Sequence, residues 1–67
     1  MKRTWRDVDE LAGDLAGHHP DVDPLTLTLR TLKAMVLKLP EFADDPDAGS
    51  DRLLEAIQKA WYDRMQE

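Results

Sequence analysis

The chain contains no cysteine. Disulfides are therefore excluded, and so is thiolate ligation of zinc or of an iron–sulfur cluster. Packing and hydrogen bonds alone must hold the fold, which fits a reducing compartment, so a cytoplasmic location is expected. Long apolar runs are also missing. No stretch approaches the ~20 apolar residues that span a bilayer. The Met1–Asp7 segment has basic residues but no apolar run behind them, so it does not read as a signal peptide. Positive charge is scarce: nine Lys and Arg face fourteen Asp and Glu, for a formal net charge of -5. Nucleic-acid binders concentrate positive charge to neutralise phosphates. This chain has the opposite overall sign, which favours a basic partner or a cation.

Its 67 residues allow one domain, residues 1–67. A chain this short buries only ~60% of the surface that its unfolded form exposes. Stability should be ~3–10 kcal/mol at ordinary per-residue values. Pockets for drug-sized ligands occupy roughly 300–1,000 Å³, more than so small a core can enclose. No Ser, Thr or His has the companions of a nucleophile–base pair, and no two carboxylates are set apart as in a glycosidase cleft. The expectation is a binding protein and not an enzyme.

Three amphipathic helices are legible. Asp7 with Glu10 three residues later has the form of a capping box, and the acids suit the helix dipole. Val8, Leu11, Ala12 and Leu15 follow with the i, i+3, i+4, i+7 spacing of one apolar stripe. Trp5 lies just ahead and can fold back on that stripe. Gly17, His18, His19 and Pro20 end the helix. Asp21 to Pro24 is a turn. The next residues, Leu25 to Leu29, have two readings: a short extended piece, from their alternation, or a helix capped by Asp23 with Pro24 at its first position. From Thr28 the period is helical, with Leu29, Leu32, Met35, Val36 and Leu39 on one face until Pro40 stops it. Glu41 to Ser50 is a loop anchored by Phe42. Ser50 caps a third helix whose stripe is Leu53, Leu54, Ile57, Ala60, Trp61 and Met65, with Glu55 and Lys59 as an outer i, i+4 pair. Three stripes that must be buried together predict an all-α, three-helix bundle.

The strongest chemical cluster is acidic: Asp44, Asp45 and Asp47, with Asp51 next. Two like charges ~4 Å apart repel by about 1 kcal/mol in water. A hard cation or a row of arginines turns that repulsion into attraction. The loop lacks the alternating ligands and terminal glutamate of an EF-hand, so any cation should bind weakly. His18-His19 lacks the helical i, i+4 spacing of two metal ligands and reads as a helix C-terminus followed by an Asp-Pro turn. A helix–turn–helix reader of DNA is the rival class, with Arg30, Lys33 and Lys38 on its second helix. It is disfavoured by Asp51, Glu55 and Asp63 on the third.

Taken in order, several of these residues are familiar. Trp5 with Asp7, Glu10 and Leu11, then Pro20-Asp21-Val22-Asp23-Pro24, Leu39 and Phe42, Asp44-Asp45-Pro46, and Leu54-Glu55-Ala56-Ile57-Gln58 leading to Ala60-Trp61 and Asp63, resemble the IscX family of small bacterial iron–sulfur cluster assembly proteins. The resemblance runs from Trp5 to about Asp63. It implies a compact helical domain of modified winged-helix or three-helix type. It also implies an adaptor or regulator that binds a cysteine desulfurase, in competition with bacterial frataxin, and binds iron(II) weakly through surface carboxylates. The matching acids are Asp21, Asp23, Asp44, Asp45, Asp51, Glu55 and Asp63. Of these, Asp44, Asp45, Asp51 and Glu55 are the candidate iron ligands. Asp21, Asp23, Asp44, Asp45 and Asp63 are the candidate partner contacts, on a chain expected to be monomeric. The second helix departs from the family pattern. Thr28-Leu29-Arg30-Thr31 replaces Arg-Phe-Thr-Asp, Met35 stands for a tryptophan, Lys38 for an acid and Ala43 for another acid. That helix is therefore more basic than the family norm. An acidic module for a different partner is the alternative reading.

Overall fold

The computed structural model describes residues 2–66. Helix α1 spans Val8–His18, α2 spans Leu29–Leu37 and α3 spans Asp51–Met65, with single 3-10 turns at Pro24–Thr26 and Pro46–Ala48. The expected three-helix, all-α architecture is what the chain adopts. One continuous core joins the helices: Trp5, Leu11, Ala12, Leu15, Leu32, Val36, Leu39, Leu54, Ile57 and Trp61. The helical stripes supply most of it, and α1 packs most extensively against α3.

The expected cap at Ser50 forms as drawn, and Thr28 caps α2, a role its sequence position had not suggested. The Thr28 hydroxyl accepts from the Thr31 N–H at 3.2 Å, and the Ser50 hydroxyl accepts from the Leu53 N–H at 3.3 Å. The expected capping box at Asp7 does not form. Asp7 has ψ 57°, and its side chain makes no hydrogen bond to the first turn of α1. With the backbone outside the extended conformation of an N-cap, the carboxylate turns backwards. Its Oδ2 accepts from the Thr4 N–H at 2.9 Å, while the Asp7 N–H donates to the Thr4 carbonyl at 3.0 Å. Asp7 thus closes a turn in the strap that precedes α1.

Each reading of Leu25 to Leu29 describes part of what is there. Asp23 does cap a helix with Pro24 at its start, accepting from the Leu25 N–H at 3.0 Å, but that helix is a single 3-10 turn. Leu27 and Thr28 then run extended into α2 without pairing as a strand. The reason is tertiary. The Gln58 side-chain amide on α3 donates to the carbonyls of Pro24 at 2.7 Å and Leu27 at 3.3 Å. The turn is thereby fastened to a neighbour that the local sequence does not contain.

Met65 was expected on the buried stripe of α3 but is 41% exposed. It is the last residue of the helix, which outruns the core one turn beyond Trp61. Among the described residues the one β-type contact is a parallel bridge between Arg3 and Phe42. The Arg3 N–H donates to the Glu41 carbonyl at 2.6 Å, and the Ala43 N–H donates to the Arg3 carbonyl at 2.9 Å.

Candidate functional site

The acidic loop is built around one side chain from the other end of the sequence. Trp5 is 1% exposed, and its indole Nε1–H donates to the Asp45 carbonyl at 2.7 Å. The Phe42 ring meets it edge-on, with centroids 4.8 Å apart. Such a pair contributes about 0.5–1.5 kcal/mol beyond the area it buries. Gly49 lies against the ring from the far side of the loop. A Cβ at that position would stand 2.6 Å from Trp5 Cε2 and 2.7 Å from Cζ2. Its φ is −81°, so close approach and not backbone conformation requires the glycine.

This wrapping employs two of the expected site residues as structure. Asp44 Oδ2 accepts from the Trp5 backbone N–H at 3.1 Å, and Oδ1 accepts from the Asp45 N–H at 2.7 Å. The Asp45 carboxylate accepts from the Asp47 N–H at 2.9 Å and so caps the 3-10 turn. The bonds to Asp45 and Asp47 are the ordinary habit of aspartate in turns, whereas the bond from Trp5 ties Asp44 to the other end of the chain. Both carboxylates remain exposed. Among the described residues no group of three or more His, Asp or Glu converges to hold a metal. The four candidate iron ligands, Asp44, Asp45, Asp51 and Glu55, are therefore not brought together as a preformed cage.

The candidate partner contacts fare differently, since docking needs display and not convergence. Asp21 and Asp23 are exposed on the turn after α1. Asp51, Glu55 and Asp63 are exposed on α3, spaced by multiples of four so that they follow one side of the helix. Lys59 stands among them, but the expected Glu55–Lys59 pair does not close. Among the described residues the one ion pair is Arg3 with Asp14, at 3.1 Å. The hydrogen bond with Asp14 raises the Arg3 guanidinium pKa above its ordinary value, with smaller Coulombic support from Asp14, Glu10 and Asp7. This pair secures the N-terminal strap to α1. Among the described residues it leaves Asp44, Asp45 and Asp47 of the loop and Asp51, Glu55 and Asp63 of α3 outside any ion pair.

The sequence reading missed Gly49 and Arg3. Neither carries a local signal, because each acts on a partner that is distant along the chain or on another element. His18 is exposed and His19 half-buried, with the His19 ring 6.4 Å from that of Trp61, which is the placement of a helix terminus. No helix among the described residues is long and apolar enough to cross a membrane.

Known proteins match this chain over nearly its whole length. It is 44% identical over 61 residues to an uncharacterized protein of Pseudomonas aeruginosa, covering 91% of this chain and 92% of that one. The family described as iron–sulphur cluster assembly matches residues 3–66, a span that includes the Trp5 latch, the acidic loop and all of α3. With its cysteine-free three-helix core and a family match over residues 3–66, the chain belongs to the IscX-type iron–sulphur cluster assembly family.

Proposed function

We propose that the chain is an adaptor of iron–sulphur cluster assembly that docks its acidic surface on a basic patch of a cysteine desulfurase. Family membership supports the role in cluster assembly. The observation that carries the docking reading is the set of exposed carboxylates at Asp21, Asp23, Asp44, Asp45 and Asp63, none of which is in an ion pair among the described residues. Unpaired surface charge of one sign steers encounter with the opposite sign and sets register once contact is made. A protein without cysteine has no thiolates to hold a nascent cluster, so its contribution has to be made through partners.

Iron(II) has a secondary place in this proposal. It accepts carboxylate oxygen, and Asp44, Asp45, Asp51 and Glu55 offer it. They are not convergent, and two of them already hold backbone N–H groups. Uptake must then gather ligands and displace hydrogen bonds, which keeps it weak. The fit is that of a passing cargo and not of a resident cofactor.

Calorimetric titration of the chain into its cognate desulfurase at low and high salt tests the adaptor reading. The expected result is a complex at low salt that weakens as ionic strength rises. No complex at low salt overturns the adaptor; a complex indifferent to salt overturns its electrostatic cause. Charge reversal at Asp63 separates docking from folding, because that side chain makes no hydrogen bond or ion pair in the described structure.

A further inference from the structure

The second helix has charge of the opposite sign to the rest of the molecule. Leu29–Leu37 and its cap Lys38 contain Arg30, Lys33 and Lys38 and no acid, on a chain whose net charge is -5. Leu32 and Val36 face the core. Arg30, Ala34, Leu37 and Lys38, spaced i, i+4, i+7 and i+8, form the opposite stripe, and all four are exposed. Lys33 borders the stripe and is half-buried. None of the three cations meets a carboxylate of its own chain among the described residues. Leu37, the last residue of α2 and next to Lys38 on the stripe, is 39% exposed.

We propose that this outward face of α2 is a second docking surface, and that its occupant is an acidic protein segment presenting an apolar side chain between carboxylates. Charge complementarity selects the sign of the partner. Leu37 selects its kind. An exposed apolar residue flanked by Lys33 one turn before it and by Lys38 after it gains from burial against another apolar side chain and gains nothing from a phosphate backbone. Three cations are also few for a duplex reader on a chain of negative net charge. A second copy of this chain is disfavoured because two copies repel through their net charge. The proposal rests on α2 alone and does not depend on docking to a desulfurase.

The test uses the whole chain, isotope-labelled, with amide shifts followed by NMR at low salt. The probe is a synthetic amphipathic helix bearing glutamates on both sides of a leucine stripe; duplex DNA is the comparison. Shifts are expected at Arg30 to Lys38 on adding the peptide. Reversing Arg30, Lys33 and Lys38 together to Glu should weaken the peptide by about ten- to hundredfold, at roughly two- to fivefold per exposed contact. Leu37→Ser should weaken it by about five- to tenfold and leave any duplex affinity unchanged. Circular dichroism on the variants checks the fold, and the wild-type shift map needs no variant at all. Shifts that avoid α2 overturn the proposal. So does a duplex that binds as tightly as the peptide, which marks a phosphate surface, and so does self-association that grows with protein concentration. Indifference to Leu37→Ser overturns the choice of a protein partner.

Discussion

Replacing Gly49 by alanine adds one carbon atom where there is no room. That carbon would stand 2.6 to 2.8 Å from three atoms of the Trp5 ring, nearly an ångström inside ordinary contact. The ring has little freedom to retreat, since it is 1% exposed and is held by Phe42 and by the hydrogen bond to Asp45. Overpacking of this kind costs about 1–3 kcal/mol, and loss of the indole hydrogen bond adds about 1 kcal/mol. The sum, about 2–4 kcal/mol, is a large share of the ~3–10 kcal/mol available to a chain of this size. The melting temperature should fall by roughly 10–30 °C, followed by thermal circular dichroism and checked by urea unfolding. Gly17→Ala is the control. It is helical and exposed, with nothing within 4 Å of the added carbon, so it should be stabilising by up to about 1 kcal/mol. Trp5→Phe should be less damaging in the Gly49→Ala background than alone, because the smaller ring makes room for the methyl group. A Gly49→Ala protein within about 0.5 kcal/mol of wild type would refute the steric account of the loop.

The remaining expectations concern the polar contacts. Gln58→Ala should cost about 1–2 kcal/mol in urea unfolding, because it strips the carbonyls of Pro24 and Leu27 of their donor. Ser50→Ala and Thr28→Ala should each cost about 1 kcal/mol as lost helix caps, whereas Glu10→Gln should be nearly neutral, since no capping box forms at α1. Trp61→Phe should cost less than Trp5→Phe: the buried Trp61 Nε1–H has no acceptor among the described residues, whereas that of Trp5 does. Asp44→Ala should lower both stability, by about 1–2 kcal/mol, and iron(II) uptake, while Asp51→Asn should touch uptake with little effect on unfolding. Uptake unchanged from wild type in both variants would place iron elsewhere. The raised pKa of Arg3 adds stability that is present below its unfolded value and lost only as pH rises through the still higher folded one. The Arg3–Asp14 tether should therefore show no dependence on Arg3 titration at neutral pH, and Arg3→Gln should lower the melting temperature equally at pH 6 and pH 8.

The sequence by itself determined the class of the fold and the character of the surface. Helical spacing is a local property, and Leu11, Leu15, Leu32, Val36, Leu54, Ile57 and Trp61 show it without reference to one another. Proline at 40 and the cap at Ser50 are equally local, as is the excess of carboxylate over cation. What only the tertiary structure decided depends on contacts between residues far apart in the chain. Trp5 meets Asp44, Asp45 and Gly49 across about forty positions, and that meeting turns two expected metal ligands into hydrogen-bond acceptors of a latch. Gln58, from another helix, fastens both the single turn and the extended residues in which the two readings of Leu25 to Leu29 meet. Asp7 leaves its expected cap to bond Thr4, in a strap that the Arg3–Phe42 bridge holds to the loop. In each case the deciding energy comes from a partner supplied by folding, and a backbone N–H or an aromatic ring gives no sign along the chain of which neighbour it will find.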